Sequence, residues 1–188
     1  MDTLNPEQEK VMTALEPIMG EIHDIFPAAL KKYNEIDPSI RAEHENRTAA
    51  SCVRDHAWMA FQSAFEGRKG FHFLDVRGLT LLNIRDEVLI RVKKVDANGK
   101  HRNYQTQQQK DFDSYSANKD LTGLPAEAVR VVVGYQPDIA FSEIERVTVR
   151  QTGGEWVSQI NEQGGEAVWT DITPIQLPFG NTRHASSR

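Results

Sequence analysis

The spacing of apolar positions changes once along this chain. Up to about residue 66 they recur every three or four residues, and beyond residue 70 they tend to alternate. The sequence therefore predicts helices first and strands later. Asn5 suits an N-cap and Pro6 the first helical position. Val11, Met12, Leu15, Ile18 and Met19 share one face, and Pro17 should kink or stop that helix near Glu16. Ile22, Phe26, Leu30 and Tyr33 continue the period across Pro27, which predicts two short helices folded as a hairpin. Asp37-Pro38-Ser39 reads as a turn or a new helix start. From about Ile40 to Glu66 the pattern predicts one long helix. Ala49, Val53, Ala57, Ala60, Phe61 and Ala64 lie on its buried face, Glu43 and Arg47 are spaced for an ion pair, and Gly67 ends it.

Strand signals follow. Phe71 to Val76, Leu79 to Ile84 and Val88 to Lys93 alternate, with Val88, Ile90 and Val92 on one side and Arg91 and Lys93 on the other. Asn98-Gly99 marks a turn, and Thr106 is placed to cap a short helix through Tyr115. Further strands are expected over Val129 to Val133, Ile144 to Arg150 and Trp156 to Ile160, with weaker signals at Val168 and Trp169. This order, without regular β-α-β alternation, predicts an α+β fold: N-terminal helices and one long helix packed on a mostly antiparallel sheet. The expected division is an N-terminal helical segment (1–38), an α+β core (39–173) and a C-terminal tail (174–188) that docks partly through Ile175, Leu177 and Phe179.

Composition narrows the classes. The chain has 188 residues, 39% hydrophobic and 26% charged, enough to build a core unaided. Its single cysteine, Cys52, excludes an internal disulfide and is expected to be a buried thiol. The six histidines lack metal-ligand spacing, so no metal or other cofactor is expected. No apolar run approaches a membrane span and the N-terminus has no secretory character, so the expected compartment is a reducing cytoplasm.

Net charge is −5, but it is segregated. Residues 1–45 carry 10 acids and 4 bases, residues 46–119 carry 8 and 13, and residues 120–188 carry 9 and 5. A basic middle between acidic ends reads either as charges paired across the protein's own surface or as a face for nucleic acid or an acidic protein. The acidic N-terminal helices could shield that face or form a homo-oligomer interface.

Three sets of residues suggest chemistry. Arg91, Lys93, Lys94, Arg102, Asn103 and Thr106 join cations to neutral donors around a strand, a turn and a helix start, the combination that binds phosphate. The alternative is a solvated strand face followed by a capped helix. Asp75, Glu87 and Lys93 form a degenerate version of the two-acid-plus-lysine set of metal-dependent nucleases. Arg91 stands where that pattern needs an acid two residues before the lysine. Trp58, Phe61 and Tyr135 could line a small-molecule pocket between the long helix and the sheet.

Asn46-Arg47-Thr48, Asp55-His56, Leu89 through Lys94, Asn103-Tyr104-Gln105-Thr106, Leu124-Pro125 and Val133-Gly134-Tyr135 together resemble a family of small bacterial proteins. These are products of mobile-element or prophage-type loci encoded beside helix-turn-helix regulators. The resemblance spans roughly residues 45–160 and departs from the expected pattern at Gln105, where a proline would stand. It implies a toxin-antitoxin or phage-defence component acting through a partner, and supplies no activity. The expectation is a non-enzymatic interaction protein binding a protein partner or nucleic acid through its basic middle. A nucleic-acid-processing enzyme is the alternative.

Overall fold

The computed structural model describes residues 5–76, 78–100 and 124–174. Asn5 accepts the Glu7 amide at 2.9 Å and caps α1 (Pro6–Leu15), with Pro6 in the first turn. Pro17 breaks the helix into a single 3-10 turn (Glu16–Ile18), and α2 (Met19–Asn34) follows at once. In place of the expected two short helices, α1 and a longer α2 are joined directly by this turn. Pro27 does not end α2, which is uninterrupted for 16 residues. Burial of Ile22, Ile25, Phe26, Ala29, Leu30 and Tyr33 on both sides of it outweighs the lost hydrogen bond.

The long helix is also divided. Asp37 caps a short α3 (Pro38–Ala42), and α4 (Asn46–Phe65) starts anew after Glu45. Glu43 and Arg47 therefore lie on either side of a break, and the helical spacing that would pair them is absent. Within α4 Ala49, Val53, Ala57 and Phe61 are buried as expected and Phe65 joins them at the same four-residue spacing, while Ala60 and Ala64 are only partly buried.

Seven strands form one sheet in chain order: β1 (Phe71–Val76), β2 (Leu79–Ile84), β3 (Val88–Lys94), β4 (Val129–Pro137), β5 (Ile144–Gln151), β6 (Val157–Gln163) and β7 (Glu166–Asp171). Every neighbouring pair is antiparallel except β3 and β4, which run parallel from Val88↔Val129 to Lys94↔Tyr135. The fold is thus α+β with a mostly antiparallel sheet. The Asn98-Gly99 turn does form, but it closes on itself, because the next strand in the described chain enters beside β3 in the same direction.

Helices α1, α2 and α4 cover one face of the sheet. There Leu82, Ile84, Val88, Ile90, Val92, Val131, Val133, Val147, Val149 and Ile160 form one core with α1, α2 and α4. The expected boundary at residue 38 falls inside this shared core. Phe26 joins the layers, stacked on Tyr135 at 5.3 Å and edge-on to Phe61 at 5.9 Å. The Tyr135 hydroxyl donates to the Ala50 carbonyl at 2.7 Å. Tyr135 and Phe61 are both fully buried, so the pocket expected beside Trp58 is packed solid. On the other face Leu79, Leu81, Leu89 and Ala128 make a smaller apolar cluster, joined by Leu124.

Candidate functional site

A cleft of about 940 Å³ opens where the parallel pair ends, between the amino end of α4, the last residues of β3 and β4, and the turn after β3. Among the described lining residues, Arg47 and Arg54 reach it from α4, Lys93 and Lys94 from β3, and Lys100 from the turn, against one acid, Asp96. Asn46, Ser51 and Gln136 add neutral polar groups. The first hydrogen bond at the start of α4 runs from the Ala49 amide to the Glu45 carbonyl at 3.0 Å, so the amides of Asn46, Arg47 and Thr48 precede the helical ladder. No acid sits in the first turn, and the Glu45 side chain makes no capping bond. Positive helix-end potential thus adds to side-chain charge.

The walls of the cleft are fixed. Arg54 donates to Asp55 at 2.8 Å and to the Thr80 hydroxyl at 3.0 Å, tying α4 to the start of β2. Asp96 accepts the Asn98 and Lys100 amides at 2.9 Å each, and the Asp96 amide donates back to the Lys100 carbonyl at 2.8 Å. Arg150 donates to the Asn98 carbonyl at 2.7 Å and Arg146 to that of Ala97 at 3.2 Å, which pins the turn over β5. Gly134 allows the chain to leave β3 this way: a Cβ there would lie 2.5 Å from a Val95 methyl. Gly99 serves the turn, at φ +68 and with Val157 3.1 Å from where its Cβ would be.

Beyond Pro137, on the rim, the β4–β5 loop is equally constrained. The Asp138 carboxylate accepts the Ser142 amide at 2.6 Å, the Ser142 hydroxyl at 2.7 Å and the Glu143 amide at 3.1 Å. These bonds, the Ser142 hydroxyl foremost, hold Asp138 below the usual carboxylate range. Phe141 is buried at φ +54, a conformation that costs a bulky residue about 1–2 kcal/mol. Its ring packs 6.2 Å from Tyr33 and lies 4.6 Å beneath the Lys94 ammonium. Burial lowers the Lys94 pKa below the ordinary lysine value.

The sequence-predicted binding residues separate on this framework. Lys93 and Lys94 both line the cleft, although they leave opposite faces of β3, because the cleft wraps around the end of the sheet. Arg91 faces away from the helices and is only 5% exposed, so it is no part of an accessible basic surface. The polar alternation around it is real, but this side of the strand is covered. Arg102, Asn103 and Thr106 lie outside the described residues, as does the helix expected after Thr106.

The nuclease-like set does not assemble. Glu87 precedes β3 and Lys93 is its sixth residue, a separation of about 20 Å along the strand. Asp75 shares the helix-facing side of β1 with Phe73, opposite to Lys93, and its carboxylate accepts the Gly78 amide at 2.9 Å. Among the described residues no cluster of three acids, histidines or cysteines is grouped to hold a metal ion, and no helix is long and apolar enough to cross a membrane.

Sequence reasoning misses Arg54 and Lys100, and it places Arg47 only as a partner of Glu43 and within a motif of the resemblance, not as a binding residue. The seven-residue spacing of Arg47 and Arg54, two turns apart on one helix face, was the available signal. No family model, curated protein or solved structure matches this chain. The resemblance rests on its short motifs alone, although two of them, Asn46-Arg47 and Lys93-Lys94, meet at this cleft.

Proposed function

We propose that this chain is a non-enzymatic interaction protein that seats an anionic protein partner in the basic cleft at the end of the β3–β4 pair. The observation that carries this reading is the charge of the cleft: among the described lining residues five cations, one of them (Arg54) paired with Asp55, stand against one acid, on walls held by hydrogen bonds. The backbone that carries these cations is held in place before a ligand arrives, so binding has less to order. A protein partner is favoured over nucleic acid because no aromatic side chain is among the described lining residues, and base stacking is worth about 1–3 kcal/mol per base where it occurs. The setting of a bacterial toxin-antitoxin or phage-defence pair is supported by the motif resemblance, part of which falls on the cleft.

The test is fluorescence anisotropy with oligoglutamate and with a single-stranded oligonucleotide, at low and moderate salt. Oligoglutamate should bind in a salt-dependent manner, and Arg47→Glu with Lys94→Glu should weaken it at least about tenfold, the loss expected when two favourable ion contacts become repulsive. Unchanged binding by the double variant overturns the reading. Much tighter binding of the oligonucleotide reassigns the partner to nucleic acid.

A further inference from the structure

We propose that the docking surface extends beyond the cleft to an aliphatic anchor, Ile139, so that the partner is an acidic polypeptide that also presents apolar side chains. This inference rests on the reading of the cleft as an anion site.

Ile139 is 96% exposed, the most exposed large hydrophobic residue described. A single exposed aliphatic side chain is ordinary on a protein surface. What distinguishes Ile139 is the construction beneath it. Its loop leaves the cleft wall at Pro137. Asp138, just before it, clamps Ser142 and Glu143. Phe141, two residues after it, is driven into the core in a left-handed conformation. The Asn34 carboxamide then donates to the Phe141 carbonyl at 3.1 Å, locking the loop to the end of α2. A strained, doubly anchored loop that presents an isoleucine to solvent is preorganised to insert it.

Charge supplies the partner's chemistry. The Lys94 ammonium lies over the same Phe141 ring that anchors the loop, so cleft and anchor share a wall. An apolar knob beside a basic cleft fits a partner with acids flanking aliphatic or aromatic residues. A side chain that becomes fully buried in a partner's pocket contributes more to an interface than contacts left at its wet rim.

The experiment measures binding of the full chain to two labelled peptides of equal charge, one of repeated Glu-Glu-Leu-Leu units and one with serine for each leucine. The leucine peptide should bind at least about fivefold tighter, the gain expected from partly burying one aliphatic side chain. Ile139→Ser should abolish that preference and leave the serine peptide's affinity unchanged. No preference in the wild-type chain, or a preference that survives Ile139→Ser, overturns the anchor. Vesicles of phosphatidylcholine and phosphatidylserine complete the test: Ile139-dependent vesicle binding without peptide preference overturns it in favour of a lipid surface. Loss of both peptides in Arg47→Glu with Lys94→Glu supports the cleft independently, whereas its failure alone would sink the cleft reading and leave the Ile139 preference standing.

Discussion

The two faces of the central strands share one backbone and have opposite chemistry. Toward the helices β3, β4 and β5 present Val88, Ile90, Val92, Val131, Val133, Val147 and Val149, all in the main core. Away from them the same strands present Arg91, Lys93, Arg130, Arg146 and Arg150 beside the buried Leu89 and Val132, with no acid between. Strand alternation makes this separation possible, since a residue and its neighbour never share a face. The apolar face gains its stability from area removed from water. On the charged face two of the cations are spent on structure, as Arg146 and Arg150 hold backbone carbonyls of the 96–100 turn. Burial lowers the pKa of Arg150 in that position, with Asp96 opposing. The accessible cations collect where the faces end, at the carboxyl edge of the one parallel pair. Stability is therefore distributed across the sheet, and the recognition proposed above is concentrated at its rim.

The sharpest way to break this comparison is through the apolar face. Phe61→Ala removes a fully buried ring that meets Phe26, Trp58 and Phe65. It should cost about 3–5 kcal/mol in denaturant unfolding, the range for emptying an aromatic core site. A loss under about 1 kcal/mol would mean that the helix layer and sheet are not one cooperative core. Gly134→Ala attacks the other face. Its methyl would meet Val95 at 2.5 Å and the Thr148 hydroxyl at 3.0 Å. The expected cost is about 1–3 kcal/mol. The companion Val95→Ala should recover part of it in a double-mutant cycle.

Period carried most of what could be read in advance. All seven strands stand on segments whose alternation or turn signals were visible, and the stripe from Ala49 to Phe65 was legible as four-residue spacing. The errors came from proline and from closure. Pro17 and Pro27 look alike in sequence, yet the first breaks its helix and the second is absorbed, because only tertiary packing tells them apart. The division between α3 and α4 escaped notice because Glu43 and Arg47 have helical spacing whether or not a helix joins them. Lys93 and Lys94 were identifiable as cations on a strand. Their meeting with Arg47 and Arg54 depends on how β3 and β4 pair, which alternation does not encode. Arg91 misled for the same reason: strand polarity identifies a face but not what covers it.

The charged rim can be separated from the core by a milder change. Arg47 is exposed, and no described hydrogen bond or ion pair depends on it. Arg47→Glu alone should weaken oligoglutamate binding about threefold to tenfold while moving unfolding free energy by less than about 0.5 kcal/mol, as for an ordinary surface substitution. A matched loss of stability and binding would show that Arg47 belongs to the framework after all.

Lys94 gives the smallest effect and the finest test, because it belongs to both regions. It leaves β3 on the helix-facing side, yet its ammonium lies over Phe141 at the rim. Burial lowers its pKa, which means it sheds its proton at a lower pH than a solvated lysine does. Anion binding needs the charged form, so oligoglutamate affinity should start to decline with rising pH before exposed lysines titrate. The decline attributable to this one group should be about twofold to fivefold, the size of a single partly screened contact. Lys94→Arg keeps its charge throughout and should hold the affinity level across the same range. An identical pH profile in the two proteins would mean that Lys94 does not face the bound anion. The working cations of the cleft would then be those on α4 and the turn after β3.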